Sequence, residues 1–363
     1  MPIFEGEDDT SDLGPLIQQW LRKRPGYGEA VVEEISSATS GTGWSNETYR
    51  LTLRRAPGAE VEKLILRLPP SGEALLRDYD IGLQFATVQA LQGIAGYPVV
   101  AGRWLEPDPG LLGRPFYLMD YVEGWTPSDR PIYLRSGWVH EAADEQRRRM
   151  WLASVETIAR LPSVDWRARG LDVYQWPDRN RSCIEQNIEH WAGLYDWGST
   201  FLPPADVRIV DELRRWLELN APREEEVTFN WGDARFANFI YRDFEPVALL
   251  DWELATVGEP ELDITFFLFA HRHLQLLAHE GDRHAPDLGG FLSEEETIVH
   301  YERVSGVKVR NPNFYWLFNA YRIYGVRQRI AGLSVRWKTL DLDAAMKLRA
   351  VPTLEEEVAA RMT

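Results

Sequence analysis

Asp233, Asn238 and Asp251 lie at short spacing in the stretch FNWGDARFANFIYRDFEPVALLDWE, residues 229–253. Phosphoryl transfer to a hydroxyl needs a group that orients the hydroxyl and accepts its proton, and Asp233 could do both. It also needs Mg²⁺ on the nucleotide phosphates, and Mg²⁺ prefers hard oxygen ligands such as a carboxylate and an amide oxygen. The pattern therefore indicates a phosphoryl-transfer site, with Asp233 as the catalytic residue and with Asn238 and Asp251 as the metal ligands.

The elements that must present these residues are short apolar runs at 227–231, 237–242 and 246–251. Their composition predicts strands, with turn chemistry at RDFEP between the second and the third. Gly232 permits a backbone conformation that a bulkier residue would resist. Asp233 and Asp251 are therefore expected in loops at strand ends, where a rigid scaffold presents chemical groups.

The chain before residue 123 is rich in strand patterns. In EKLILRLP, Leu64, Leu66 and Leu68 recur with the period of two that is typical of a strand. We expect residues 1–122 to form a small antiparallel sheet lobe with one main helix, an α+β arrangement. The predicted helices are 12–23 and 73–92, and the predicted strands are 30–35, 47–55, 62–69, 97–106 and 114–122.

Helical periodicity dominates after a short linker at 123–129. Residues 123–363 are therefore expected to form a larger, mostly helical lobe that carries the loops of Asp233 and Asp251. The predicted helices are 139–161, 182–197, 206–219, 261–280, 293–305, 312–332 and 343–361.

The overall charge limits the classes of partner. The chain has 363 residues and a formal net charge of −16, which repels phosphate backbones and argues against nucleic acid and anionic membranes. Such a surface attracts cationic small molecules, although it also simply keeps a protein soluble. One cysteine, Cys183, allows no intrachain disulfide, and the start of the chain is acidic where a secretory signal is basic. We therefore expect a cytoplasmic protein.

The spacing of the acidic residues resembles that of a known family. Gly-Asp, an asparagine five residues after the aspartate, Asp-Trp-Glu and GEPELD resemble the motif H-G-D-x-x-x-x-N…D-W-E…G-D-P-x-x-D of the aminoglycoside phosphotransferase and choline kinase-like family. The resemblance implies a protein kinase-like two-lobe fold that binds ATP or GTP with Mg²⁺ between the lobes and phosphorylates a small-molecule hydroxyl. The matching positions are Asp233, Asn238, Asp251, Trp252, Glu253, Gly258, Pro260 and Asp263.

The same resemblance implies where the nucleotide binds. Arg67, in the third predicted strand, would bind the α- and β-phosphates, because a guanidinium can bind phosphate in a bidentate manner. The backbone of Asp120 and Val122 would bind the adenine edge. A Gly/Ser loop would cover the phosphates with the backbone N–H groups and hydroxyls of Ser40, Gly41, Thr42, Gly43 and Ser45.

Two positions depart from the family pattern. Gln84 lies where a glutamate is expected to pair with the strand cation, with Asp78 and Asp80 as substitutes, and Trp231 replaces the usual histidine. Together with Arg67, where kinases generally have a lysine, these departures keep open the alternative of a non-catalytic nucleotide-binding protein. Asp263 is expected to hydrogen-bond the backbone of the catalytic loop from the next helix.

Three histidines offer a competing metal site. His271, His273 and His279 suggest a metal-dependent hydrolase, but their spacing does not match the i, i+4 pattern of zinc ligands on a helix.

The predicted helices 182–197 and 312–332 are aromatic and could stack a hydrophobic or cationic acceptor, although such residues more often form core. Family relatives act on aminoglycosides, choline, macrolides and homoserine, so the resemblance implies the reaction better than the acceptor.

Overall fold

The structure is a computed structural model that describes residues 13–38, 46–77, 79–200, 202, 208–223, 226–279 and 288–363. The chain divides into two compact units. The first comprises the residues up to 93 together with 99–122, and the second comprises residues 94–98 together with 123–363. The short segment 94–98 therefore packs with the second unit, although its neighbours in sequence belong to the first.

The first unit is a five-stranded antiparallel sheet with the strand order β1-β2-β3-β5-β4. Leu64, Leu66 and Leu68 alternate along the central strand and join the core formed with the first helix. The opposite face carries Arg67, which pairs in register with Tyr117. The elements are α1 (Leu13–Leu21), β1 (Val31–Ser37), β2 (Glu47–Arg54), β3 (Val61–Leu68), α2 (Ile81–Leu91), β4 (Gly102–Glu106) and β5 (Phe116–Asp120).

The second unit is mostly helical, with two small antiparallel pairs of strands, β6 with β9 and β7 with β8. Its helices are α3 (Trp138–Glu141), α4 (Asp144–Ile158), α5 (Cys183–Ser199), α6 (Arg208–Asn220), α7 (Glu261–Ala278), α8 (Glu294–Ser305), α9 (Pro312–Arg336), α10 (Leu342–Arg349) and α11 (Pro352–Arg361). Its strands are β6 (Thr228–Asn230), β7 (Phe239–Arg242), β8 (Glu245–Leu249) and β9 (Thr256–Gly258). None of the helices in the described ranges is long and apolar enough to cross a membrane.

Three predicted helices are wrong in extent, and one of them, predicted at 139–161, is the two helices α3 and α4. The helix predicted at 73–92 begins only at Ile81, because the Asp80 side chain accepts a hydrogen bond from the Leu83 N–H and caps the first turn. The helix predicted at 343–361 is two helices, because Pro352 has no N–H to continue the first and instead starts the second. The prediction also missed β9, which is three residues long.

Candidate active site

The turn between β6 and the loop that carries Asp233 and Asn238 depends on Gly232. Its φ of +83° lies in the left-handed region, and a Cβ at this position would lie 1.8 Å from the backbone oxygen of Leu254. No other residue fits both conditions without movement of the backbone. The glycine therefore allows the chain to turn sharply and present the next residue, Asp233.

The backbone of this turn is hydrogen-bonded on both sides. The carboxylate of Asp263, at the start of α7, accepts from the N–H groups of Trp231 at 2.7 Å and Gly232 at 2.8 Å. On the other side, the guanidinium of Arg322 in α9 donates to the Gly232 carbonyl at 2.5 Å and to the Asn319 side-chain oxygen at 3.0 Å. The turn is therefore held by two helices that are far apart in sequence.

Burial shifts the pKa of the two side chains that bond the turn, Asp263 and Arg322. Burial raises the pKa of Asp263 to about 6, against the opposing effect of its two backbone hydrogen bonds. Burial lowers the pKa of Arg322 to about 10, although Asp233 and Asp263 favour its charged form. Near neutral pH the turn therefore lies between a carboxylate and a guanidinium.

Asp233 is 8% exposed and is held by two neighbours from its own loop. The Asn238 side-chain N–H donates to Asp233 Oδ2 at 2.6 Å and to the Asp233 carbonyl at 3.0 Å. The Arg235 Nε donates to both carboxylate oxygens, at 3.1 Å to Oδ1 and 3.2 Å to Oδ2. Arg235 also pairs with Asp129, so the loop that carries Asp233 is connected to the segment that follows residue 122.

A backbone hydrogen bond joins the segments that carry the two residues predicted as metal ligands. The Leu250 N–H donates to the Asn238 carbonyl at 2.8 Å, and Asp251 follows directly with a φ of +62°. Because the Asn238 amide N–H points at Asp233, its side-chain oxygen is the atom left for a cation. A carboxylate and an amide oxygen are a donor set that suits Mg²⁺.

Trp231 takes the place of the expected histidine and binds both loops. Its indole is fully buried, and its ring contacts Phe239 and Trp252 at centroid distances of 5.0 and 5.6 Å. The indole N–H donates to the carbonyls of Leu250 at 2.9 Å and Asp251 at 3.0 Å. The tryptophan therefore packs between the turn at Gly232 and the segment that carries Asp251.

The residues predicted to bind the nucleotide belong to the first unit. Arg67 is buried on the sheet face that α2 covers, where Phe85 contacts the Tyr117 ring. The Asp120 N–H donates to the Ala101 carbonyl at 2.9 Å, so this N–H is not available to a ligand. Val122 is half-buried at the end of the unit. The predicted phosphate loop, with Ser40, Gly41, Thr42, Gly43 and Ser45, lies outside the described residues.

One of the two predicted substitutes for the missing glutamate, Asp80, has another role. Asp80 is used as the cap of α2, and Asp78 lies outside the described residues. Gln84 is buried on α2, one residue before Phe85. A neutral amide therefore remains at the position where the family has a carboxylate.

The histidines do not form a metal site. His271 accepts or donates a hydrogen bond with the Tyr133 hydroxyl at 2.7 Å and lies among aromatic rings. Burial lowers the pKa of both His271 and His273 to about 3, so both are neutral core residues. Within the described ranges no group of three or more His, Cys, Asp or Glu side chains could hold a metal ion.

Three residues around Asp233 were missed by the sequence reasoning. Arg235 is two positions after Asp233, so its closeness was readable from the motif itself. Asp129 and Arg322 are 104 and 89 positions away from Asp233 in the sequence, and no local pattern marks them. Most of the aromatic residues predicted as a stacking wall on α5 and α9 are buried core, as the simpler interpretation expected.

The chain is similar to curated proteins that are considerably longer. It is 29% identical over 293 residues to acyl-CoA dehydrogenase family member 10 of Mus musculus, a match that covers 79% of this chain and 25% of the relative. It is 28% identical to acyl-CoA dehydrogenase family member 11 of Gallus gallus. That match covers 88% of this chain and 39% of the relative. The chain thus spans a quarter to about two fifths of the length of these relatives.

Solved structures share the fold. A candidate aminoglycoside phosphotransferase from Ralstonia eutropha superposes with a TM-score of 0.69 at 24% identity, over 96% of this chain and 98% of that one. An aminoglycoside phosphotransferase in a ternary complex with AMP-PNP and hygromycin B gives a TM-score of 0.54 at 12% identity, over 95% and 97% of the two chains. These likenesses confirm the predicted kinase-like α+β fold.

The family model gives the assignment. The model described as "Phosphotransferase enzyme family" matches residues 39–290, which include Arg67 and the whole stretch from Asp233 to Asp263. This match covers more than half of the chain and the motif from which the resemblance was first inferred. The chain belongs to the phosphotransferase enzyme family.

Proposed function

We propose that the chain transfers the γ-phosphoryl group of Mg-ATP to a hydroxyl of a small molecule. The observation that carries the proposal is the arrangement of Asp233, Asn238 and Asp251, which the hydrogen bonds of the loop hold together in the second unit. Family membership supports the reaction class, and the donor set supports Mg²⁺. The single cysteine, which is buried, suits the cytoplasm as the compartment.

Each loop residue has a separate role in this proposal. Asp233 orients the acceptor hydroxyl and takes its proton late, because the transition state of phosphoryl transfer is largely dissociative. Asn238 and Asp251 hold the metal through their side-chain oxygens. Bound Mg²⁺ would offset the negative charge that develops on the transferred group.

The nucleotide would be held by the first unit. Arg67 would bind the phosphates, and the backbone carbonyl of Asp120 and the backbone of Val122 would bind the adenine edge, with GTP as a second nucleotide to test. The loop with Ser40, Gly41, Thr42, Gly43 and Ser45 would cover the phosphates. Residues 1–122 would then be the nucleotide-binding part, and residues 123–363 would bind the acceptor.

Calorimetric titration of ATP, with and without Mg²⁺, tests the metal and nucleotide sites. We expect Mg²⁺-dependent binding to the wild type, its loss in Asp251→Ala, and nearly normal binding in Asp233→Asn. Asp211→Asn, an exposed aspartate of α6, is the matched control and should bind normally. No binding of ATP or GTP at millimolar concentration would overturn the proposal.

The names of the relatives favour one class of acceptor over another. The curated relatives are acyl-CoA dehydrogenase family members, and this chain matches only part of each. A protein that joins a phosphotransferase-like part to a dehydrogenase part is expected to use related substrates in both. We therefore propose a hydroxyl-bearing acyl thioester, or the free hydroxy acid, as the acceptor, with a cationic aminoglycoside as the second candidate.

A release assay for ADP separates these acceptors. Wild-type protein and Mg-ATP would be incubated with a hydroxyacyl-CoA series, the free hydroxy acids, kanamycin, hygromycin B and choline. ADP release with the hydroxyacyl compounds alone supports the first class, and release with the aminoglycosides alone supports the second. Mg-ATP binding without ADP release for any acceptor supports the alternative of a non-catalytic nucleotide-binding protein.

A further inference from the structure

A chain of charged groups runs from the segment after residue 122 to the catalytic carboxylate. Asp129 pairs with one terminal nitrogen of the Arg235 guanidinium, and the Nε of the same guanidinium bonds both oxygens of Asp233. Both Asp129 and Arg235 have side chains that are 32% exposed, so the pairing lies at the edge of the site and not in the core. Nothing in the proposed reaction itself requires Asp129.

The segment that carries Asp129 has a fixed backbone. Trp125 and Tyr241 exchange both backbone hydrogen bonds at 2.8 Å, which ties the start of the segment to β7. At the other end, the Tyr133 N–H donates to the Ser128 carbonyl at 2.8 Å. Asp129 is therefore presented from a rigid backbone, as a positioning group must be.

We propose that Asp129 is a positioning residue for phosphoryl transfer, which acts through Arg235 to determine which oxygen of Asp233 faces the acceptor hydroxyl. This inference rests on the proposed function. It adds a residue to the site that the phosphotransfer motif does not contain.

The contacts of the carboxylate identify the oxygen. Oδ2 accepts a short hydrogen bond of 2.6 Å from Asn238 as well as the 3.2 Å contact from Arg235. Oδ1 has, among the described residues, the 3.1 Å contact from Arg235 as its hydrogen bond. Oδ1 therefore keeps more acceptor capacity, and it is the oxygen that can receive the acceptor hydroxyl.

Asp129 is needed because Arg235 alone would not hold this orientation. A partly exposed arginine has many rotamers, and ordering it costs side-chain entropy. The pairing with Asp129 fixes the guanidinium plane, so that Nε stays beside Asp233. Without Asp129 the arginine can turn to solvent, and the carboxylate can then rotate on its bond to Asn238.

The test compares Asp129→Ala with the wild type in ADP release from Mg-ATP, with the acceptor that reacts fastest in the panel above. We expect kcat to fall about tenfold or more, as small misplacements of a reacting group do, while KM for ATP stays within about twofold. Arg235→Lys, which keeps the charge but lacks the planar fork that pairs with Asp129 and Asp233 at once, should retain part of the rate that Arg235→Met loses. Glu245→Gln, which removes an exposed ion pair with Arg149, is the matched control and should leave kcat unchanged.

A double-mutant comparison distinguishes positioning from a general loss of structure. If Asp129 acts through Arg235, the double variant Asp129→Ala, Arg235→Met should be no slower than Arg235→Met alone. Additive losses, or a normal kcat in Asp129→Ala, would overturn the inference while leaving the proposed function intact. A wild type that releases no ADP with any acceptor would instead overturn both, and thermal melts of each variant verify that it is folded.

Discussion

Asp263 holds Gly232 through a hydrogen bond of 2.8 Å from the glycine N–H to Oδ1, while Oδ2 accepts from the preceding N–H of Trp231 at 2.7 Å. The carboxylate therefore fixes two consecutive peptide groups just before Asp233. Because the bonds are to the backbone, this support does not depend on the side chain at position 231. That independence explains how a tryptophan can occupy the place of the family's histidine.

Replacing Asp263 with asparagine should destabilise the protein and slow turnover. The amide can accept at one atom only, so one buried backbone N–H loses its partner, at a cost of about 1–3 kcal/mol. We expect a lower urea midpoint and a lower kcat, with the affinity for Mg-ATP nearly unchanged. An unaltered midpoint would show that water replaces the missing acceptor.

The pH dependence of stability should also change in Asp263→Asn. The folded pKa of Asp263, about 6, lies above its ordinary value of 3.8. Its titration therefore contributes stability that is complete below about pH 4 and is lost as the pH rises through about 6. The free energy of unfolding of the wild type minus that of the variant should be larger at pH 4.5 than at pH 7.5. Urea titrations at both pH values measure this difference.

Gly232→Ala should abolish activity and strongly destabilise the chain. The added methyl would lie 1.8 Å from the Leu254 carbonyl oxygen, and the φ of +83° is itself unfavourable for alanine. Gly193→Ala is the matched control, because Gly193 lies within α5, has ordinary helical φ and has open space around its Cα. Alanine there should raise stability by about 0.5–1 kcal/mol and leave kcat unchanged. Thermal melts and ADP release on both variants would reveal any other result.

Arg322→Met should lower both stability and kcat. Methionine fills much of the same volume but leaves the Gly232 carbonyl and the Asn319 oxygen without their donor. Arg322 also lies over the rings of Trp191 and Phe266, at 4.8 and 4.7 Å. We expect a loss of about 2–4 kcal/mol, because two buried acceptors are left unpaired. Arg322→Lys can serve one acceptor and should lose less, and equal losses in the two variants would contradict this account.

His271→Phe should make the protein more resistant to acid. The folded pKa of His271, about 3, lies below its ordinary value of 6.5. Neutral burial therefore contributes stability that is present above about pH 6.5 and is lost as the pH falls toward 3. Phenylalanine cannot be protonated, so the acid midpoint followed by circular dichroism should move to lower pH. The exposed His140, changed to glutamine, should leave the midpoint where it is.

The fold and the central motif could be predicted because their signals are local. The alternation of Leu64, Leu66 and Leu68 indicates a strand, and the spacing from Asp233 to Asp251 spans one hairpin. The family match confirms the conclusion drawn from that spacing. The roles of the metal ligands and of the nucleotide residues stay predictions.

The remaining contacts could not be predicted because they arise from tertiary packing. Asp129 pairs with Arg235 from a segment whose sequence predicts an ordinary loop. Arg322 bonds the Gly232 carbonyl from a helix whose sequence shows only an aromatic helical pattern. The start of α2 was placed too early because Asp80 could be read as a helical residue, although its side chain acts as the cap. A partner that is distant in sequence leaves no periodicity to detect.

The left-handed backbone of Asp251 has an evolutionary consequence. A φ of +62° costs a non-glycine residue roughly 1 kcal/mol or more, and glycine would adopt it freely. Selection for thermal stability alone should therefore favour Asp251→Gly, whereas selection for phosphoryl transfer should retain the aspartate. A library screened only for survival on heating would accumulate inactive glycine variants at this position. The unfavourable backbone of Asp251 would then mark a site where thermal stability is given up for activity.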